Sequence, residues 1–134
     1  MAERSTPPGS AADLKSVGGL KRIANAMRYT ASGLRDAFRH EAAFRQELLA
    51  FVVLGPLAWW LPVSTVERLL LILLMLLVLV VELLNTAIES IVDRVSMELH
   101  PLAGRAKDLG SAAVGLSILM SLLAWTVIAG PLFF

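Results

Sequence analysis

The most informative residues of this chain are four polar side chains that follow a long apolar run. Glu82, Asn85, Glu89 and Asp93 are separated by three, four and four positions, and the helical repeat places all four on one stripe of an α-helix. A carboxylate at membrane depth is costly unless it is paired, coordinated or protonated. The stripe is therefore a candidate site in which one carboxylate accepts a proton and another binds a metal. For Asp93, an ordinary solvated acid at a helix end is an equally good interpretation.

A second pair of acids lies in the segment HEAAFRQE, residues 40–47. Glu41 and Glu47 come just before an apolar stretch, where they could fold over the mouth of a helix bundle and meet Glu89. Two carboxylates from different helices are a common way to hold Mg²⁺ that carries nucleotide phosphates. A helix end with acids balanced by Arg39 and Arg45 explains the same residues, and the sequence leaves both interpretations open.

A third cluster is GRAKDLGS, residues 104–111, which we expect in a loop and at the start of a span. Glycines let a backbone approach phosphate, and Arg105 and Lys107 can neutralise its charge. The segment is neither a Walker A loop nor a kinase glycine-rich loop, so a merely basic loop remains an alternative. His40 and His100 do not have metal-ligand spacing.

The amino-acid composition limits the kinds of fold that could position these candidate site residues. The chain has 134 residues, of which 57% are hydrophobic and 17% are charged, and its mean hydropathy is +0.71. A domain this small cannot hide so many apolar residues from water, which excludes a soluble monomer. A disordered chain is also excluded, because it would be poor in apolar residues. The absence of cysteine excludes disulfides, thiolate catalysis and cysteine-ligated metals.

The apolar residues form three runs, and the middle one is too short to cross a bilayer by itself. Residues 48–66 and 109–134 carry no charge, and each can cross about 30 Å of hydrocarbon as a helix of roughly 20 residues. Residues 69–81 number only 13, so this helix must continue through Glu82 and Asn85 to about Glu89. We predict an all-α integral membrane protein with spans at about 48–64, 67–95 and 109–131.

The residues before the first span form two segments, and neither is a continuous apolar run like the span. Residues 1–12 are rich in proline, serine and alanine and predict a flexible tail, followed by a single membrane domain over 13–134. Within that domain, residues 13–47 repeat apolar side chains at helical spacing among Lys and Arg, which predicts an amphipathic surface helix. Gly33 is a candidate kink. Three spans make a thin bundle, which favours a homo-oligomer, and the small residues Ser111, Gly115, Ser117 and Ser121 permit close packing of the third span.

The basic residues predict the orientation of the chain. Of twelve Lys and Arg, eight precede the first span, three lie between the second and third, and only Arg68 lies in the first turn. The positive-inside rule therefore places the N-terminus and the second loop in the cytoplasm.

Three segments together resemble one family. EAAFRQE (41–47), VELLNTAIESIVDR (81–94) and GRAKDLGSAAV (104–114) resemble the bacterial integral-membrane diacylglycerol kinases in motif, order and separation, over roughly residues 22–125. The resemblance implies a homotrimer in the bacterial cytoplasmic (inner) membrane, with three-span protomers and an N-terminal surface helix. It implies phosphorylation of sn-1,2-diacylglycerol to phosphatidic acid with ATP and Mg²⁺, and no nucleic-acid partner.

The resemblance also implies roles for individual residues. Glu82 matches the general base, Asn85 its catalytic neighbour, and Glu41 and Glu89 the ligands of the metal that carries ATP. Further positions that match nucleotide contacts are Arg22, Tyr29, Glu98, His100, Lys107 and Asp108. Positions that match substrate contacts are Arg22, Thr30, Phe44, Gln46, Glu82, Ser111 and Trp125. One departure is Asn25, where members of the family often carry a basic residue.

Three other functions remain open at this point. An undecaprenol kinase resembles the same fold and differs in its longer lipid. A small proton-coupled transporter would need one intramembrane glutamate, but would leave Glu41, Glu89 and the GRAKD segment without a purpose. A non-catalytic assembly subunit would tolerate leucine at position 82.

Overall fold

A computed structural model of the chain describes residues 11–95 and 100–134, and within these ranges it contains helices and no strand. The helices are α1 Ala11–His40, α2 Ala42–Trp60, α3 Thr65–Val95, α4 Pro101–Ile128 and the short α5 Gly130–Phe133. Helices α2, α3 and α4 are each long and apolar enough to cross a membrane. The predicted all-helical fold with three candidate spans is confirmed. Glu98, assigned above to the nucleotide site, lies outside the described residues.

The chain forms two compact units, which divide after Asp36. In the first unit α1 is a single helix that continues through Gly33. Three of its large apolar residues, Leu20, Ile23 and Met27, are more than half exposed. The second unit, residues 37–134, contains the last turn of α1 and the three candidate spans.

Helix α3 is the centre of the second unit, because it packs against both α2 and α4. One apolar cluster lies toward the α2–α3 turn and includes Ala58, Leu71 and Ala124. A second cluster lies toward the α1–α2 junction and comprises Ala37, Phe44 and Leu79. Most other apolar side chains of the spans remain exposed, as expected for surfaces that face lipid or another protein chain.

The α1–α2 junction falls earlier than the sequence predicted. We expected the surface helix to run to residue 47 and the span to begin at 48, where the charges stop. Instead Glu41 is extended, with φ −107° and ψ 110°, and α2 begins at Ala42. Arg45 donates from Nη1 to the carbonyl oxygens of Phe38 at 2.9 Å and Arg39 at 3.2 Å. These bonds satisfy the last carbonyls of α1 and make an early helix end possible.

The turn between α2 and α3 is held by side chains that bind backbone groups. Ser64 and Glu67 form a capping box: the Ser64 amide donates to Glu67 Oε2, and the Glu67 amide donates to Ser64 Oγ. Arg68 donates to the carbonyl oxygens of Ala58, Leu61 and Val63, and its guanidinium lies 5.5 Å from the centre of the Trp59 ring. Arg68, the basic residue predicted between the first two spans, therefore caps the C-terminal end of α2.

Helix α4 begins eight residues before its predicted span, so the GRAKDLGS segment is helical and our assignment of part of it to a loop was wrong. Pro101 occupies the first turn, where its missing amide hydrogen is no loss, and His100 Nδ1 accepts a hydrogen bond from the Leu102 amide. Because of this cap, α4 begins within the polar segment that precedes the apolar run. The glycines at 104 and 110 therefore do not form a phosphate-binding loop.

We expect Arg68→Ala to lower the free energy of unfolding by about 1–3 kcal/mol, because three carbonyl groups lose a charged donor. The measurement is unfolding in detergent micelles by titration with a denaturing surfactant. Arg94→Ala, at the exposed opposite end of the same helix, is the control and should change stability little. Equal effects of the two substitutions would contradict the capping role of Arg68.

We expect His100→Ala to destabilise the protein by about 0.5–2 kcal/mol, since the first turn of α4 loses its cap, whereas His100→Asn should retain most of the stability because Asn caps well. The same unfolding titration measures both. Equal losses in the two variants would show that the cap is not what His100 contributes. A contact of the imidazole with a nucleotide would instead raise the KM for ATP in both variants.

Candidate active site

The polar stripe of α3 is graded in exposure from the middle of the helix to its end. Glu82 is 5% exposed and Asn85 is 8% exposed, while Glu89 is half-buried and Asp93 is exposed. Position 82 therefore carries a carboxylate that is almost fully removed from solvent within a helix capable of spanning a membrane. The predicted burial of an acid in this span is confirmed.

Asn85 connects the buried and the half-buried acids. Its Nδ2 donates to Glu89 Oε1 at 3.2 Å, one helical turn further on. Its Oδ1 is buried and has no hydrogen-bond partner within the described parts of the chain. A buried carbonyl oxygen in this state is costly, which marks the position as one where a ligand or ordered water can gain a contact.

The carboxylates of α2 and its N-terminus converge on Glu82. Glu41 and Glu89 both interact electrostatically with the Glu82 carboxylate, and Glu82 interacts in the same way with Glu47. The helix break explains the approach of Glu41, whose side chain takes no part in capping α2. Glu41 therefore interacts with an acid of α3, and a metal-binding role for this segment stays a prediction.

No group of three acidic or histidine side chains in the described ranges has the arrangement of a complete metal site.

Lys107 enters the cluster from α4. Its Nζ forms an ion pair with Asp93, and it also interacts electrostatically with Glu89. The pair is largely open to solvent, with side chains 43% and 65% exposed for Lys107 and Asp93, so its contribution to stability is small. Asp108 and Ser111 are exposed on the same helix.

A groove of about 350 Å³ lies between α2, α3 and α4. Its walls are mostly apolar, and its lining residues are Gln46, Glu47, Ala50, Leu54, Met75, Val78, Ile118, Ser121, Leu122 and Trp125. Glu47 Oε2 and Trp125 Nε1 are buried polar atoms for which the described residues supply no partner. The groove thus brings together Gln46 and Trp125, two of the substrate positions named above.

Other predicted site residues are placed elsewhere. Arg22 and Tyr29 are exposed in the first unit, where Thr30 Oγ1 donates to the Ala26 carbonyl oxygen. Phe44 is 2% exposed and belongs to the apolar cluster with Ala37 and Leu79. Among the small residues of α4, Ser117 is buried, whereas Ser111 and Gly115 are exposed.

One contact and one residue of this region were not predicted. Glu47 was named above beside Glu41 as an acid that could meet Glu89, but its interaction with Glu82 was not expected. Gly110 is buried against Asn85, and the signal that could have found it is an isolated glycine inside a helical pattern, which often marks close packing.

The chain is similar to one protein family and to several named proteins. The family model described as prokaryotic diacylglycerol kinase matches residues 28–129, a range that contains every candidate residue except Arg22. A diacylglycerol kinase of Pseudomonas aeruginosa is 52% identical over 119 residues, covering 89% of this chain and 97% of its own. That of Escherichia coli K12 is 47% identical over 110 residues, covering 82% and 90%. That of Haemophilus influenzae is 42% identical over 116 residues, covering 87% and 96%.

The matches cover 90–97% of the length of these relatives, and the family model covers all three segments that carried the resemblance. The chain belongs to the prokaryotic diacylglycerol kinase family.

Proposed function

We propose that this chain transfers the γ-phosphoryl group of ATP to the free hydroxyl of sn-1,2-diacylglycerol, with Glu82 as the general base. The observation that carries the proposal is the Glu82 carboxylate, 5% exposed in a helix long and apolar enough to span a membrane, which interacts electrostatically with Glu41, Glu47 and Glu89. A base at this depth lies where a lipid hydroxyl can reach it.

In the proposed reaction the Glu82 carboxylate accepts the proton of the lipid hydroxyl while the hydroxyl oxygen bonds to the γ-phosphorus. The bond between that phosphorus and the β–γ bridging oxygen breaks, so the products are phosphatidic acid and ADP. Phosphoryl transfer requires little covalent participation by the protein, and positioning and electrostatic stabilisation supply most of the catalysis.

Glu41 and Glu89 would hold the Mg²⁺ that accompanies ATP. The residues fit this ion: both are hard oxygen donors on different helices, the Glu41 side chain is not used as a cap, and Glu89 is oriented by Asn85. When bound, the ion would neutralise charge on the phosphates.

Lys107 interacts electrostatically with Glu89, and in the proposal it faces the phosphates beside Asn85 and Asp108. Its exposed ion pair with Asp93 allows it to exchange one anionic partner for another at little cost. The remaining nucleotide assignments, to Arg22, Tyr29, Glu98 and His100, rest on the family resemblance, as does that of the surface-helix residue Thr30 to the lipid.

The apolar groove is the proposed site of the acyl chains. Its apolar walls match hydrocarbon, and Gln46, Glu47 and Trp125 provide polar atoms for the glycerol end of the lipid. Of the other substrate positions, Ser111 is exposed on α4, and Phe44 would act through the packing of α2.

Three candidate spans and the family fit a multi-pass protein of the bacterial inner membrane. We further propose that the N-terminus is cytoplasmic, that α1 lies on the membrane surface as an amphipathic helix, and that three copies assemble. Support for assembly comes from the extensive apolar surface of the three spans, which three packed helices leave exposed in a single copy.

The function is tested with the purified protein, radiolabelled ATP and two lipids supplied separately in mixed micelles. Phosphorylation of diacylglycerol in preference to undecaprenol supports the proposal. Preference for undecaprenol would assign the chain to the other lipid. Proton-linked transport without lipid phosphorylation would overturn it.

We expect Glu82→Gln to fold and assemble like the wild type but to lose about 10²–10⁴-fold in kcat, the usual contribution of a general base. Glu67→Gln is the matched control on the same helix, since Gln also serves in a capping box. Wild-type-like turnover by Glu82→Gln would exclude this residue as the base.

We expect Glu89→Gln to raise the Mg²⁺ concentration that gives half-maximal activity by at least about tenfold, because one anionic ligand is lost. The measurement is initial rate against Mg²⁺ at fixed ATP, again with Glu67→Gln as the control. An unchanged Mg²⁺ dependence would count against Glu89 as a ligand.

A further inference from the structure

Helix α4 approaches α3 closely at Gly110. This residue is buried, and a Cβ atom at position 110 would overlap Oδ1 of Asn85 and lie 3.3 Å from its Cγ. The other two glycines of α4 behave differently, because a Cβ at Gly104 or Gly115 would meet nothing within 4 Å. Of these three positions, only 110 excludes a side chain, and the group that excludes it is the Asn85 amide.

The Asn85 amide has little freedom to retreat from an added methyl group. It is 8% exposed, and its Nδ2 is engaged with Glu89 Oε1. The overlapping atom is Oδ1, so a methyl group at position 110 would force the amide to rotate or α4 to move away. Rotation of the amide would take Nδ2 from its position beside Glu89.

We infer that Gly110 is a positioning residue. Because it has no side chain, it leaves room for the Asn85 amide in the orientation that directs Glu89. This inference rests on the proposed role of Glu89 in binding MgATP. It predicts that a methyl group at position 110 impairs use of the nucleotide rather than use of the lipid, because the lipid groove has no contribution from Gly110.

The kinetic test compares Gly110→Ala with Gly115→Ala, a matched substitution on the same helix in open space. Gly110→Ala should raise the KM for MgATP by at least about tenfold and change the KM for diacylglycerol less than twofold. Gly115→Ala should leave both constants close to those of the wild type. A loss of kcat in Gly110→Ala with both KM values unchanged would mean that the added methyl group does not act through Glu89 and MgATP binding, and would overturn the inference.

A double-mutant cycle tests the contact without reference to activity. Thermal unfolding is measured for the wild type, Gly110→Ala, Asn85→Ala and the double variant. Asn85→Ala removes Oδ1 and Cγ and leaves only the Cβ, 3.9 Å from the added methyl group. Gly110→Ala should therefore lower the unfolding temperature of the wild type but not that of Asn85→Ala. Equal losses in both backgrounds would mean that the glycine serves helix packing in general.

The double-mutant cycle also gives a result if Gly110→Ala cannot be obtained as folded protein. Should Gly110→Ala fail to give folded protein, recovery of folded protein in the double variant supports the contact, and no recovery overturns it. Failure of the wild type to phosphorylate diacylglycerol would refute the proposed function, while the unfolding cycle would still report on Gly110 and Asn85.

Discussion

The structure depends on one constraint, which is that α3 carries a carboxylate and an amide in a segment that must also cross hydrocarbon. Buried polar groups of this kind are stable only with partners. Within the described residues these groups have few partners. Asn85 donates to Glu89, but the carboxylates that interact with Glu82 are of like charge, and Gly110 packs against the Asn85 amide without bonding it. A cation or a substrate hydroxyl would therefore gain contacts at these polar residues of α3.

The two ends of the helix bundle differ in how their polar groups are bonded. At the α2–α3 turn, Arg68 and the Ser64–Glu67 pair satisfy the backbone groups that a helix end leaves open, and no acid is left unengaged there. At the opposite end, Glu41 leaves its cap without a side-chain bond and Asn85 Oδ1 lacks a partner. The side-chain bonds that cap helix ends thus lie at the α2–α3 turn, and the polar groups proposed to bind substrates lie at the opposite end.

Much of this fold could be predicted from the sequence, because hydrophobic length is a strong signal. The extension of the middle span through Glu82 and Asn85 followed from its shortage of apolar residues. The helix ends were placed less well: loss of charge marks the edge of hydrocarbon, whereas α1 ends where Arg45 binds its carbonyl groups and α4 begins at a cap formed by His100. Distances between helices were not predictable either, so the approach of Glu47 to Glu82 and of Gly110 to Asn85 required the structure. The assignments of Arg22, Tyr29 and Thr30 remain predictions.

The length of α3 determines where two substrates of opposite solubility can meet. Its 31 residues rise about 46 Å at 1.5 Å each, which exceeds a hydrocarbon core of about 30 Å. Counted from Leu69, the first residue after Glu67 and Arg68, about 20 residues cross the core and end near position 88. In the proposed arrangement Glu89 therefore lies at the boundary of the core and Glu82 about 10 Å inside it. A hydroxyl anchored by acyl chains and a phosphate dissolved in water can thus occupy adjacent turns of one helix. Neither substrate has to partition into the other's phase.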